Sequence, residues 1–256
     1  MLSQSQINEL GKRFEISDIV IFREYTQLLF LKELMNQNYA KNIFFKGGTA
    51  IRLLFGGERF SEDLDFSVQG SADLFVPIFQ EFCDGLEKRW DWKFNKRNTH
   101  IGQTWVLSTS MSNQTPCFVK LDFSFREQIL MPEKSIISTF YPIVFTSYIN
   151  HLSKEEILSE KIRAVMTRKK GRDLYDLWFL LSQSVELNQE MIDEKLKYYH
   201  LSPLKTEDLM LRIKTFDPKQ FILDIRPFIS RSKREKLKEF FYFMLDVIGQ
   251  KVQATI

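Results

Sequence analysis

Two glycine pairs separate three short elements in the first quarter of the chain, and this arrangement constrains the fold more than any other feature. Before the first pair, Gly47-Gly48, residues 42–45 form a short apolar run that predicts a buried strand. Residues 49–55 have apolar positions at helical spacing, and residues 62–68 alternate between polar and apolar as a strand does. The segment therefore predicts a strand, a helix and a second strand joined by tight glycine turns.

The rest of the sequence predicts an α+β (mixed α/β) fold with a helical C-terminal part. A hydrophobic content of 44%, with 24 phenylalanines, is enough for a sizeable core. From Ser153 onward the pattern is almost purely helical and opens with a Ser-x-x-Glu capping box. We therefore predict a mixed lobe at 1–145 and a helical lobe at 146–256. The further predicted elements are helices at 16–38, 72–90 and 172–183, and strands at 104–110 and 117–125.

Composition excludes several classes of protein. The net charge of +3 gives only a mild preference for anionic partners, so any basic surface must be local. The two cysteines, Cys83 and Cys117, lack paired spacing, which argues against a disulfide framework and against a structural zinc site. No secretory signal pattern and no apolar run of roughly 20 residues is present, so we expect a cytoplasmic protein without a membrane segment.

Three aspartates predict a metal site. Strand alternation places Asp63 and Asp65 on one face, with Cα atoms roughly 7 Å apart. Carboxylates this close repel each other unless a cation neutralises them, and Mg²⁺, or Mn²⁺ in its place, prefers such oxygen ligands. If strand 117–125 lies beside strand 62–68, Asp122 adds a third carboxylate, as a two-metal site requires. The alternative is an acidic strand face exposed to solvent.

The glycine turn before the predicted helix suggests a phosphate site. Gly47 and Gly48 precede Thr49 at the helix start, where free N–H groups and the helix dipole favour phosphate oxygens. Ser61, two residues before Asp63, is close enough in sequence to reach the same ligand. A plain turn between strand and helix is the alternative. Neither a P-loop nor a Gly-x-Gly-x-x-Gly dinucleotide motif is present.

The helical half adds candidate charged residues. Lys161 lies on a predicted helix between a core stripe and solvent, where its ammonium could reach a triphosphate or simply extend to solvent. Asp173 lies near the start of the following helix, where its negative charge could alternatively just stabilise the helix by interacting with the helix dipole. The basic run between the two helices suggests RNA contacts, through Arg168, Lys169, Lys170 and Arg172.

The segments "FKGGTAIRLLFGGERFSEDLDFS" and "KIRAVMTRKKGRDLYDLWFLL" together resemble the AbiEii/AbiGii family of toxins, which includes the MenT toxins. The resemblance spans roughly residues 44–181. It implies a polymerase β-like nucleotidyltransferase core with a mostly helical C-terminal lobe. Carried over by motif, Gly47, Gly48 and Ser61 hold nucleotide phosphates, Asp63 and Asp65 bind the metals, Lys161 contacts the triphosphate, and Asp173 is an essential aspartate.

The resemblance also implies a function. An NTP would bind with Mg²⁺, and its nucleotidyl group would be transferred to RNA, at the 3′ end of tRNA, so that translation is blocked. Such toxins act in toxin–antitoxin and abortive phage infection systems, which implies a cognate antitoxin encoded nearby. Two alternatives stay open: transfer to a hydroxyl of a small molecule or protein, and a non-catalytic nucleotide-binding module.

Overall fold

The computed structural model describes residues 2–98, 102–112 and 114–255, and these form two compact units. The first unit extends to Gly56 and resumes from Phe60 to His151. The second consists of Gly57–Arg59 together with the chain from Leu152 onward.

The first unit combines a sheet with four helices. In the described part of the chain, the strands of this sheet are β1 (Ile43–Lys46), β2 (Asp63–Val68), β3 (Lys93–Arg97), β4 (Gln103–Ser110), β5 (Pro116–Ser124), β6 (Pro132–Ser135) and β7 (Ile149–Leu152). The helices are α1 (Gln4–Arg13), α2 (Asp18–Met35), α3 (Gly47–Phe55) and α4 (Ala72–Arg89).

The sheet has the strand order β3-β4-β5-β2-β1-β7-β6. β2 lies in its middle, antiparallel to β1 and parallel to β5. A parallel pair needs a long crossover, and here the chain between β2 and β5 contains α4 and the antiparallel strands β3 and β4. The two strands that carry the candidate aspartates are therefore direct neighbours.

Aromatic side chains fill one side of this sheet. Phe66 on β2 and Phe123 on β5 stack with ring centroids 4.9 Å apart. Phe79 of α4 packs edge-on against Phe123 at 4.7 Å and against Trp105 of β4 at 4.6 Å. Such aromatic pairs add to the stability gained from apolar burial. Because side chains alternate along a strand, burial of Phe66 directs Asp65 to the opposite face.

The second unit is helical. Its helices in the described residues are α5 (Lys154–Thr167), α6 (Gly171–Ser182), α7 (Gln189–Lys197), α8 (Thr206–Lys214), α9 (Pro218–Ile225) and α10 (Leu237–Thr255). Ser153 caps α5 by accepting a hydrogen bond from the Glu156 N–H. The Glu156 carboxylate, placed at the third helical position by the same pattern, accepts a hydrogen bond from the buried Lys195 at 2.6 Å.

Gly171 allows α6 to begin directly against α9. A Cβ at this position would lie 3.0 Å from the Cα of Phe221 and 3.1 Å from the Cβ of Asp224. The Gly171 N–H donates to the Asp224 carboxylate at 2.7 Å, which satisfies one of the free donors at the helix start. The start of α6 is thus fixed by a glycine contact and a carboxylate from another helix.

The predicted mixed α/β class is confirmed, and the predicted elements agree with the observed ones to within a few residues. The helix predicted at 16–38 is shorter, at Asp18–Met35, since a 3₁₀ turn at Asn38–Asn42 follows it. Helix α1 and the short strands β3, β6 and β7 were not predicted from the sequence. Among the described residues, no helix is both long and apolar enough for a membrane span.

Candidate functional site

The first unit brings the three predicted aspartates onto one face of the sheet. β2 and β5 pair in parallel with Asp65 directly opposite Asp122, and with Asp63 opposite Lys120. Asp63, Asp65 and Asp122 are all half-buried, whereas the alternating residues on the other face are buried. The strand adjacency on which the predicted role of Asp122 depends is therefore present.

The carboxylate of Asp122 is engaged by two neighbours. Thr104, its partner on β4, donates a hydroxyl hydrogen bond to Asp122 Oδ1 at 2.6 Å. The Lys120 ammonium donates to Asp122 Oδ2 in a close ion pair. Partial burial acts to lower the pKa of Lys120, but the hydrogen bond to Asp122 and the charges of Asp122, Asp63 and Asp65 together raise it.

The donor set suits a hard divalent cation, although its members are not gathered around one point in this structure. Among residues 2–98, 102–112 and 114–255, no group of three or more His, Cys, Asp and Glu side chains is arranged to hold a metal ion. Asp122 already shares its oxygens with Lys120 and Thr104. Its role as a third metal ligand therefore stays a prediction.

Gly47 forms a cradle for the Asp65 carboxylate. Its backbone has φ +79°, in the left-handed region, and a Cβ there would lie 2.2 Å from Asp65 Oδ2. Only glycine therefore lets the carboxylate rest against the start of α3. This contact explains the glycine at position 47 independently of the predicted approach of a phosphate. It also holds the Asp65 carboxylate in place, which is consistent with its predicted role as a metal ligand.

The other predicted phosphate residues differ in what their side chains do. α3 begins at Gly47, two residues earlier than predicted, and the side chain of its N-cap residue, Lys46, makes no capping hydrogen bond. Thr49 is buried, and its hydroxyl donates to the backbone carbonyl of Asp63 in a close hydrogen bond, so it ties α3 to β2. Gly48 is buried in the first turn, and Ser61 is half-buried just before β2.

The second unit contains a buried network of ion pairs around Lys161. The Lys161 ammonium lies 3.0 Å from Asp173 Oδ1 and 2.8 Å from Asp176 Oδ2. Arg59 donates two hydrogen bonds to Asp176, at 2.7 and 2.6 Å. Arg168 likewise donates two to Asp173, at 2.7 and 3.1 Å. Each carboxylate is thus shared between Lys161 and one arginine.

This network keeps its buried members ionised, while the side chain of Arg168 is 57% exposed. Burial alone would raise the pKa of Asp173 and of Asp176, but Lys161 and the arginine beside each carboxylate lower both pKa values below the usual range. Burial alone would lower the pKa of Lys161, yet the two carboxylates raise it. The ammonium is therefore charged at neutral pH and is held in one place by two oxygens.

Lys161 and Asp173 were candidate site residues from the sequence alone. The ion pair of Arg59 with Asp176 was not predicted, and Asp176 was given no role in the site. Asp176 lies one helical turn from Asp173, so its position on the same face of α6 was available from spacing. Arg59 had no such signal. It comes from the three-residue segment of the second unit that lies more than 90 residues earlier in the chain.

The basic run at 168–172, proposed for RNA contacts, is only partly engaged in contacts within the chain. Arg168 binds Asp173, and Arg172 lies over the ring of Phe228 at 5.2 Å. Lys169 is exposed and donates to the carbonyl of Thr215 at 3.4 Å, and Lys170 is exposed. Cationic side chains thus remain at the surface between α5 and α6, as an RNA contact requires.

Comparisons with known proteins agree with the resemblance seen in the sequence. No curated protein sequence is significantly similar to this chain. The fold is similar to that of MenT4, a nucleotidyltransferase toxin from Mycobacterium tuberculosis, with a TM-score of 0.63 and 19% identity over 99% of this chain and 93% of that one. It is also similar to JHP933 from Helicobacter pylori, with a TM-score of 0.54 and 20% identity over 93% of this chain and 95% of that one.

The family assignment comes from a match over most of the sequence. The model of the nucleotidyl transferase AbiEii toxin family, of type IV toxin–antitoxin systems, matches residues 29–246. This range includes every candidate residue described above and extends well beyond the two segments that first suggested the resemblance. The chain therefore belongs to the AbiEii family of nucleotidyltransferase toxins of type IV toxin–antitoxin systems.

Proposed function

We propose that this toxin transfers a nucleoside monophosphate from an NTP to the 3′ end of an RNA, with tRNA as the acceptor, and thereby blocks translation. The observation that carries the proposal is the register of β2 and β5, which sets Asp65 opposite Asp122 with Asp63 on the same face. The AbiEii family supplies the reaction class. The acceptor follows from the family resemblance and from the cationic surface between α5 and α6.

In the proposed reaction the 3′-hydroxyl oxygen of the acceptor attacks the α-phosphorus of the NTP. The bond to the bridging oxygen of the β-phosphate breaks, pyrophosphate leaves, and the hydroxyl proton passes to water. A divalent cation, Mg²⁺ or Mn²⁺, would neutralise phosphate charge and lower the pKa of the attacking hydroxyl. Asp63 and Asp65 would hold it, with Asp122 as a third ligand.

The protein's own groups position the phosphates. Because the N-cap residue Lys46 gives α3 no side-chain cap, the first N–H groups of this helix are suited to phosphate oxygens, with Gly47 and Gly48 permitting close approach and Ser61 adding a hydroxyl. The backbone of Thr49 belongs to the same helix start, whereas its hydroxyl is used by Asp63. Positioning and charge neutralisation account for most of the catalysis expected in such a reaction.

Lys161 and Asp173 receive roles in the same reaction. We assign Lys161 to the triphosphate, where its ammonium offsets the charge that develops on pyrophosphate. Asp173 holds Lys161 through the 3.0 Å ion pair, so it acts as a positioning residue. A cognate antitoxin is the expected protein partner, as in other type IV systems.

The test is incubation of the purified protein with each α-labelled NTP and total tRNA, followed by sequencing of RNA 3′ ends. We expect label at tRNA 3′ ends with the native chain, and at least a hundredfold less with Asp65→Asn. Asp91→Asn, which changes an exposed aspartate of the same unit, is the matched control and should label RNA normally.

Other outcomes would decide against the proposal. Label found only on a small molecule or on protein would instead support transfer to another hydroxyl. NTP binding without any transfer would support a non-catalytic module. Equal transfer by Asp65→Asn and the native chain would remove the carboxylate face from the mechanism.

A further inference from the structure

Lys120 is a basic residue of the carboxylate face, as is Lys46, which lies opposite Asp65 on β1, and the proposed function gives Lys120 no role. It lies on β5 directly opposite Asp63 and two residues before Asp122, on the same face of the sheet. Cross-strand neighbours have Cβ atoms about 4.5–5.5 Å apart, so a long side chain at this position reaches its neighbours easily. The side chain of Lys120 is 48% exposed and so has room to move, whereas that of Asp122 is 29% exposed.

The ammonium of Lys120 uses an oxygen that a metal ion would need. It forms a close ion pair with Asp122 Oδ2, while Thr104 occupies Oδ1 at 2.6 Å. Each oxygen keeps a further lone pair, but a cation at Oδ2 would lie beside the Lys120 ammonium and be repelled by it. The lysine contact is the one that a divalent cation opposes by charge, because the hydroxyl of Thr104 is neutral.

We propose that Lys120 is an internal competitor for the divalent cation: its ammonium neutralises the carboxylate face when no metal is bound, and metal binding displaces it from Asp122. This inference rests on the proposed function, because it assumes that Asp63 and Asp65 hold the metal. It makes Lys120 the residue that sets how tightly the site binds its cation.

Charge supports the direction of the effect. Three carboxylates side by side repel one another, and Lys120 relieves this repulsion from within the sheet. A cation beside a carboxylate lowers the pKa of that carboxylate by about one to three units, so it should also weaken the binding of a divalent ion there by at least about tenfold. Removing the lysine charge should therefore tighten metal binding, even though it also removes an ion pair.

The experiment measures binding of Mn²⁺ alone to the full-length protein, without nucleotide, by the electron paramagnetic resonance signal of the free ion. We expect Lys120→Gln to bind Mn²⁺ about tenfold more tightly than the native chain. Lys120→Arg, which keeps the charge, should stay within about threefold of the native value. Lys96→Gln is the matched control, since it removes an exposed lysine charge from β3 of the same sheet and should leave the affinity unchanged.

Asp63→Asn separates failure of this inference from failure of the proposed function. If Asp63→Asn abolishes Mn²⁺ binding while Lys120→Gln binds no more tightly than the native chain, the competitor role is overturned and the metal site stands. If Asp63→Asn binds Mn²⁺ as the native chain does, the metal assignment itself fails, and the inference fails with it. Equal tightening by Lys96→Gln would assign the effect to net charge and also overturn the inference.

Discussion

Arg59→Met should destabilise the second unit by breaking the buried ion pair with Asp176. The two side chains are 5% and 1% exposed, and their contacts are 2.6 and 2.7 Å long. Removal of one partner from a buried pair typically costs about 3–5 kcal/mol, because the other charge stays buried. Since Lys161 remains 2.8 Å from Asp176, we expect the lower end of this range, about 3 kcal/mol.

A double variant distinguishes loss of the pair from loss of packing. Arg59→Met/Asp176→Leu removes both charges and replaces them with apolar side chains, a change that is often neutral for a buried pair. Lys161 then keeps Asp173 as a partner. We expect the double variant to lose about 1 kcal/mol or less, which is about 2 kcal/mol less than the loss expected for Arg59→Met alone.

Native-state hydrogen exchange of peptides from α6 measures the free energy of opening locally, with peptides from β4 and β5 as an internal reference. Lys197→Met is the control, because its pair with Glu194 is exposed, at 76% and 46%, and should contribute less than about 1 kcal/mol. The reasoning would be refuted if α6 were as well protected from hydrogen exchange in Arg59→Met as in the native chain. It would also be refuted if the double variant lost more stability than Arg59→Met alone.

Two further outcomes follow from the geometry. Gly47→Ala would place a Cβ 2.2 Å from Asp65 Oδ2, so we expect the Mn²⁺ affinity to fall at least tenfold. The variant should also lose about 1–2 kcal/mol of folding stability, because alanine disfavours the left-handed backbone at this position. Gly56→Ala is the control, because Gly56 also has a left-handed backbone, at φ +75°, but its new Cβ would meet no neighbouring group within 4 Å. This variant should lose only folding stability. Equal Mn²⁺ affinity in the two variants would contradict the proposed contact between Gly47 and the Asp65 carboxylate. The second prediction concerns acid. Because the pKa values of Asp173 and Asp176 are lowered on folding, they stabilise the fold above an unfolded pKa of about 3.9 and this stabilisation is lost as the pH falls towards the folded values. Urea unfolding of the native chain should therefore show stability falling below about pH 4, and the fall should be shallower in Asp173→Asn. An identical slope in both proteins would exclude Asp173 as a source of the acid sensitivity.

The sequence predicted the first unit well where local patterns were strong. Alternation in β2 and β5 separated the carboxylate face from the core, since a period of two leaves little ambiguity about which residues share a face. The short strands β6 and β7 were not predicted, because four residues carry too little periodicity to be recognised. Their place in the sheet depends on contacts with distant segments.

The candidate site shows the same division. Neighbours along one strand or helix, such as Asp63 with Asp65 or Asp173 with Asp176, follow from spacing alone. Partners joined only by the tertiary fold do not. The pairing of Arg59 with Asp176, 117 residues apart in the chain, has no local pattern that could reveal it. Thr49 was likewise expected at the phosphate site, but the bond of its hydroxyl to the Asp63 carbonyl depends on how α3 packs against β2.

The in-register pairing of β2 with β5 also restricts how such a chain can change in length. A shift of β2 by one residue, as a deletion or insertion at its start would cause, would exchange its two faces and place Leu64 and Phe66 where Asp63 and Asp65 now lie. Core and candidate site would be lost together, so one intervening residue between Asp63 and Asp65 is a requirement of folding as well as of chemistry. Differences in length among relatives are therefore expected in the connections between elements and not inside these two strands.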